Sequence, residues 1–207
     1  MILLQALKEL NLDLTPQQIQ QLLDYVDLLK KWNKVYNLTS ITADNEIIIK
    51  HLIDCLAVLP QLYKINSSNE LKILDVGSGA GLPSIIWAIM HPNWQIYSID
   101  CVQKKIAFQQ QVKISLNLKN LFPLHSRIEN LQNIKFNIIT ARAYANTNDI
   151  ISQTQRFLDN DGCYFLLKGK EKESIDFPCI KQEIIIDVPY LKAQRYIQYI
   201  RLEERII

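Results

Sequence analysis

Over the first 65 or so positions apolar residues recur at helical spacing. Residues 1–10, MILLQALKEL, read as an amphipathic helix. In the stretch 15–32, TPQQIQQLLDYVDLLKKW, residues Ile19, Leu22, Leu23, Val26 and Leu29 form one apolar stripe. Thr15 suits the N-cap, Pro16 the first helical position, and Gln18 completes a capping box. A second helix is predicted over 45–59, with Ile48, Leu52, Leu56 and Leu59 on one side. The polar segment NSSNE at 66–70 marks a junction.

Beyond that junction the period changes. Short apolar strands LKILDV (71–76), WQIYSID (94–100), LFPLH (121–125), FNIITAR (136–142) and CYFLLKG (163–169) alternate with helical segments at 83–90, 103–116 and 148–158. Alternation of this kind predicts an α/β fold, a mostly parallel sheet covered by helices on both faces. The last two strands, QEIIIDVP (182–189) and QRYIQYIRLE (194–203), have no helix between them and predict an antiparallel edge. The expected organisation is a helical cap over 1–65 and an α/β domain over 66–207, joined as one integrated unit.

One loop interrupts this regular pattern. DVGSGAGLPS (75–84) holds Gly77, Gly79 and Gly81, three of only five glycines in 207 residues. It follows the first sheet strand and precedes a helix, where open α/β sheets bind ligands. Glycine there permits positive φ and close approach of a ligand to backbone. A dinucleotide fingerprint, G-x-G-x-x-G, requires glycine where Leu82 stands, so that reading fails. Asp75 ahead of the glycines suits a ligand with a cationic amino group, such as S-adenosylmethionine. Asp100, ending the next strand, is placed to accept from both hydroxyls of a ribose, or to cap the helix that follows it.

Composition narrows the classes without naming one. A net charge of +2 permits a nucleic-acid partner and does not demonstrate one. Cys55, Cys101, Cys163 and Cys179 form no Cys-x-x-Cys pair, and with His51, His91 and His125 they offer no metal-ligand spacing, so reduced cysteines in a cytoplasmic protein without a metal are expected. The longest apolar run, IIWAIM, is too short to cross a membrane, and the N-terminal stretch lacks the charge order of a signal peptide.

The segments KWNKVYNLTS (31–40), KHLIDC (50–55), ILDVGSGAGLP (73–83), TARA (140–143) and LLKG (166–169) resemble, in order and spacing, the glucose-inhibited division protein B family of bacterial 16S ribosomal RNA guanine-N7 methyltransferases. The resemblance covers about residues 15–170, and its most specific part is WNK-x-YNLTS. It implies a class I (Rossmann-like) methyltransferase fold with an N-terminal helical cap, S-adenosylmethionine as methyl donor, and a guanine of 16S ribosomal RNA or of the small ribosomal subunit as acceptor. By the same resemblance Gly77 and Leu82 belong to the cofactor loop, Ile128 and Glu129 to the segment holding the adenine end, and Arg142 to the arginine of a Ser-Arg-Ala motif. The chain departs from the family pattern at Ala141, at Ser84 and in LDNDG (158–162).

Guanine N7 carries a lone pair and no proton, so its methylation needs no general base. Arg142, at a strand end, is expected to position cofactor, guanine or both, with a surface ion pair as the alternative. Asn37 and Lys168 are candidates for the acceptor, Asn37 against a helix-ending turn and Lys168 as a phosphate contact. His51 and Asp54 share a helix face, where a structural hydrogen bond explains them as well as a substrate role. Basic candidates for RNA are Lys30, Lys31, Lys34, Lys104, Lys105, Lys168, Lys170 and Lys172. A monomer is expected. A small-molecule methyltransferase and a catalytically silent RNA-binding assembly factor are the rival readings.

Overall fold

The computed structural model describes residues 2–132, 134–169 and 173–203. Helices α1 (Ile2–Glu9) and α2 (Pro16–Tyr36) open the chain. The capping box forms as predicted: Thr15 N donates to Gln18 Oε1 at 3.0 Å and Gln18 N to Thr15 Oγ1 at 3.2 Å. Helix α2 continues past the predicted end at 32 because nothing in KKWNKVY breaks it before Asn37, which turns left-handed at φ 50° and ψ 57°. The predicted 45–59 helix begins with α3 (Asp44–Ile47), passes through a π-helical turn (Ile48–Ile53) and continues as α4 (Asp54–Leu56). A separate α5 (Leu59–Ile65) then starts with a proline in its first turn.

Seven strands form one sheet: β1 (Lys72–Val76), β2 (Gln95–Asp100), β3 (Leu121–His125), β4 (Phe136–Thr140), β5 (Leu158–Lys168), β6 (Cys179–Ile186) and β7 (Arg195–Leu202). Their spatial order is β3-β2-β1-β4-β5-β7-β6. The pairs from β3 to β5 are parallel, and β7 lies antiparallel to both β5 and β6, which is the edge the sequence predicts. Pro123 sits in β3, where the missing N–H faces outward from the sheet edge. Helices α6 (Ser84–Met90), α7 (Gln103–Ser115) and α8 (Thr147–Thr154) supply the connections.

Strand alternation divides the core in two. Ile73, Ile96, Ile138, Phe165 and Ile197 face a cluster that also holds Leu22, Tyr25, Leu29, Leu52 and Leu56 of the cap with Trp87 of α6 and Phe108 of α7. Leu74, Ile139, Tyr164, Leu166 and Ile200 point to the other face, against Ile150 and Ile151 of α8. The cap is thus part of the sheet's own core.

Trp87 is the tether between them. It is fully buried, donates Nε1–H to the Cys55 carbonyl at 3.1 Å, and meets the Phe165 ring edge-on at 6.2 Å. Trp87→Ala is expected to lower stability by about 3–5 kcal/mol. Urea denaturation followed by circular dichroism measures the loss, and cap and sheet should unfold in one transition.

Candidate active site

The glycine loop lies between β1 and α6, at the carboxyl edge of the sheet. Gly77, Gly79 and Gly81 have φ of +67°, +58° and +80°, a region that side-chain-bearing residues rarely adopt. Five contacts from outside the loop hold it. Gly77 N and Ser78 N both donate to the Ile99 carbonyl, at 2.9 and 3.1 Å, and Gly79 N donates to Asp100 Oδ2 at 2.9 Å. Gln109 of α7 donates its amide to the Gly79 carbonyl at 2.9 Å, and the buried Tyr25 hydroxyl of the cap donates to the Ala80 carbonyl at 3.0 Å. Ser98 Oγ in turn donates to Gln109 Oε1 at 2.6 Å, fixing the amide's orientation.

Asp75 is fully buried beneath the loop. Ser84 Oγ donates to its Oδ2 at 2.5 Å, while Oδ1 has no hydrogen-bond partner. Burial pushes the carboxyl up to about 7, against the lowering effect of the Ser84 hydrogen bonds. Leu82 is likewise buried, in the core beside Ala80, and so supports the loop from within. Neither residue forms part of a cavity wall.

Two cavities open beside the loop. One, of about 470 Å³, is lined by Gly77, Asp100, Lys105, Ile128, Glu129 and Tyr144 among others. Here the structure gathers four of the eight predicted cofactor residues, Gly77, Asp100, Ile128 and Glu129. Asp100 is not the N-cap of α7, which is Val102; its Oδ1 accepts from Val102 N at 2.8 Å just ahead of the helix, and the side chain borders the cavity. Ile128 and Glu129 project from a 3-10 turn spanning Ile128–Asn130, with the Glu129 carbonyl accepting from Arg156 at 2.7 Å.

The second cavity, of about 620 Å³, lies where the cap meets the strand ends. Arg142 follows β4 and Asp54 sits at the start of α4, directly after the π-turn. Arg142 Nη1 donates to Asp54 Oδ2 at 3.2 Å and to the Lys50 carbonyl at 3.1 Å. Arg195, at the start of β7, donates Nε–H to Asp54 Oδ1 at 2.9 Å. One buried carboxylate therefore holds two guanidinium groups that are 53 positions apart in sequence. The surface ion pair considered for Arg142 is replaced by this buried one. His51 is also in the wall: its Nδ1–H is directed at the Lys50 carbonyl, and Nε2 pairs with Thr39 Oγ1 at 2.9 Å. Burial first, and the Arg142 charge second, press its pKa down to about 4, so the ring is neutral at pH 7.

Two acceptor candidates are placed differently from expectation. Asn37 is exposed at the end of α2, its N–H donating to the Asn33 carbonyl, and it lines neither cavity. Thr39, Ser40 and Ile41, the residues after it, form the wall instead. Lys168 does face the second cavity, but its Nζ is held by Glu173 at 2.9 and 3.1 Å and by the Ala145 carbonyl at 3.3 Å. Glu173 also accepts from Thr147, and these hydrogen bonds outweigh its burial and lower its pKa. Lys170 and Lys172 lie outside the described residues. Lys30 pairs with Asp44 at 2.8 Å and Lys105 with Asp100 at 3.5 Å, whereas Lys31 and Lys34 are exposed on α2.

Tyr144 borders both cavities. A Cβ built on Gly77 would lie 2.1 Å from the Tyr144 ring, so the ring rests directly on bare glycine backbone. Ala143 before it has φ of +53°, which directs the tyrosine inward over the loop. No sequence pattern singled out Tyr144, Gln109, Tyr25 or Arg195. Among the described residues no group of three or more histidine, cysteine or acidic side chains could hold a metal ion, and no helix is long and apolar enough to cross a membrane.

Comparison with known proteins agrees with this geometry. The family model described as rRNA small subunit methyltransferase G matches residues 18–188. The ribosomal RNA small subunit methyltransferase G of Burkholderia vietnamiensis is 38% identical over 98% of this chain and 92% of its own length. That of Francisella philomiragia is 41% identical over 92% of each chain. Among solved structures, an S-adenosylmethionine-dependent methyltransferase from Aquifex aeolicus shares the fold with a TM-score of 0.55 and 16% identity, over 76% of this chain and 93% of its own. A loop of scarce glycines gripped from three elements, an acidic strand end beside it and a matched family over most of the length lead to one assignment: the chain belongs to the rRNA small subunit methyltransferase G family.

Proposed function

We propose that this protein transfers a methyl group from S-adenosylmethionine to N7 of a guanine in 16S ribosomal RNA, acting as a monomer in the cytoplasm, with cap 1–65 and domain 66–207 working as one unit. The observation that carries this reading is that the cavity bordered by Asp100, Ile128 and Glu129 adjoins the cavity bordered by Arg142, with Ala143 and Tyr144 in the wall of both. A donor held in one can thereby reach an acceptor in the other. The acceptor class follows from the relatives' name, which is that of a small-subunit ribosomal RNA methyltransferase.

The residues fit the cofactor in three respects. Asp100 and Glu129 border one cavity together, as a ribose and adenine require, and the space above the nearby Gly79 is open. Asp75 Oδ1 is a buried acceptor without a donor, which suits a cationic amino group reaching the loop from above. Arg142 stands at the far end, able to meet the carboxylate of the methionine portion or the base. When bound, S-adenosylmethionine supplies an electrophilic methyl group on a sulfonium. The chain's own task is then to orient N7 and exclude water, an effect of position. His51, neutral and already engaged with Thr39 and Lys50, is a poor base, and N7 asks for none.

Purified protein given labelled S-adenosylmethionine and small ribosomal subunits or 16S RNA is expected to place the label in 7-methylguanine on digestion. Label appearing only in a metabolite mixture, or at another base position, would sink the reading. Gly79→Ala separates binding from folding, because a Cβ there meets nothing nearer than the Gly77 carbonyl at 4.0 Å. The left-handed backbone costs about 1–2 kcal/mol. Cofactor affinity by calorimetry should fall about tenfold or more, since the new methyl intrudes where the ligand lies.

Asp75 yields a prediction in pH. Its folded pKa, about 7, lies above the unfolded value near 3.8, so the folded state retains a proton that the unfolded state has lost. The wild-type protein should therefore lose stability as pH rises from about 4 to 7 and change little from this group above that. Asp75→Asn should remove that decline, as thermal melts across the range would register, and weaken cofactor binding.

A further inference from the structure

Among the described residues the charges of the larger cavity's wall do not cancel, with Lys50 paired to Glu46 at 2.6 Å. Lys168 and Glu173 pair with one another, and His51 is neutral. Arg142 and Arg195 share the single carboxylate of Asp54. This trio therefore leaves one positive charge in the wall, on side chains that are mostly buried: 23% exposed for Arg142, 28% for Arg195 and 6% for Asp54. A cation held in a partly desolvated wall and facing an open cavity favours an anion.

Of the two guanidiniums, Arg195 is the one presented outward. Its Nε–H is spent on Asp54 and one Nη1–H on the Gln194 carbonyl at 3.2 Å. Those bonds use two of the five N–H groups of an arginine, and the side chain lines the cavity. Arg142 is fastened by the same terminal nitrogen to Asp54 and to the Lys50 carbonyl, and borders the cavity on the side of Ala143 and Tyr144, towards the cofactor loop. Arg195 instead follows the cap-facing side of β7 beside Tyr196, away from the loop. It also lies beyond the stretch 18–188 matched by the family model.

We infer that Arg195, held in orientation by Asp54, binds a phosphodiester of the RNA strand next to the methylated guanine, the role that the sequence suggested for Lys168. The inference rests on the proposed RNA methylation. An acceptor base entering a cavity brings its own backbone phosphates to the mouth, and a planar guanidinium is suited to the two non-bridging oxygens of a phosphodiester. The Nε–Asp54 bond keeps the outer edge of the fork turned to the cavity and lowers the entropy lost on binding. Lys168 cannot supply this charge while Glu173 neutralises it.

The test measures the affinity of the full-length protein for 16S RNA against salt concentration, alongside calorimetry with S-adenosylmethionine. Arg195→Gln is expected to weaken RNA binding about tenfold or more. It should also reduce the slope of log affinity against log salt by about 0.7, the value for one phosphate contact on a single strand, and leave cofactor affinity unchanged. Arg195→Lys, which keeps the charge and loses the fork, should restore the slope and regain only part of the affinity; it also serves if the glutamine variant fails to fold. An unaltered slope in Arg195→Gln overturns the inference, as does an undiminished RNA affinity in Arg195→Lys. So does a loss of cofactor affinity with an unaltered slope, which would assign the anion to the cofactor's carboxylate. Wild-type protein that binds RNA yet transfers no methyl to it overturns the underlying reading instead, and does so independently of the variants.

Discussion

A loop made bare for a ligand cannot hold itself in place. Three glycines in ten residues remove the side chains that would otherwise lock the turn, and each carries positive φ. The conformation is therefore imposed from outside, by Asp100 on an amide, Gln109 and Tyr25 on two carbonyls and Ile99 on two further amides. This dependence orders much of the molecule. Helix α7 must run close enough to present Gln109, and the cap must press Tyr25 into the core. The strand next to β1 must end in a carboxylate. Packing of the cap on the same apolar cluster as α6 and α7 follows from that requirement as much as from the burial of its own leucines.

Electrostatics divides the carboxyl edge into regions of different character. Beneath the loop sits a carboxyl whose pKa burial raises to about 7. Beside it, Asp100 carries its charge against Lys105 and two backbone amides. Across the edge an excess of arginine over carboxylate leaves a positive wall. The edge thus offers one cavity bordered by the acidic Asp100 and Glu129 and another bordered by Arg142 and Arg195, with Ala143 and Tyr144 in the wall of both.

Local patterns made the sheet legible. Strand-helix alternation, the edge pair without a crossover and the capping box at Thr15 each depend on residues close in sequence, and all appear; bounds moved where apolar patterns run together, β5 beginning at Leu158 inside the predicted 148–158 helix and β6 at Cys179 ahead of the predicted 182. Glycine scarcity marked the loop, and the strand end marked Asp100, for the same reason. What the sequence hid is long-range or geometric. Nothing adjacent to Lys168 announces that Glu173 folds back on it, or that Asp54 reaches Arg195 from 141 positions away. Asn37 was ambiguous because an asparagine ends helices and binds bases with the same amide, and only its left-handed φ separates the two. The resemblance to a family identified the chemistry, whereas the partners of each side chain came from the fold.

Between α3 and α4 the helix takes a π-turn, with hydrogen bonds reaching five residues instead of four. The turn stores one residue more than a straight helix would need over that span. Every residue after it is rotated by about 100° relative to an uninterrupted α-helix. Asp54 is the first of those residues, and the Cys55 carbonyl that receives Trp87 is the next. The number of residues in this segment thus sets the direction of the carboxylate that both arginines require, independently of what those residues are. Exchanging one apolar residue for another here leaves that direction unchanged, whereas adding or removing a residue turns it by about 100°.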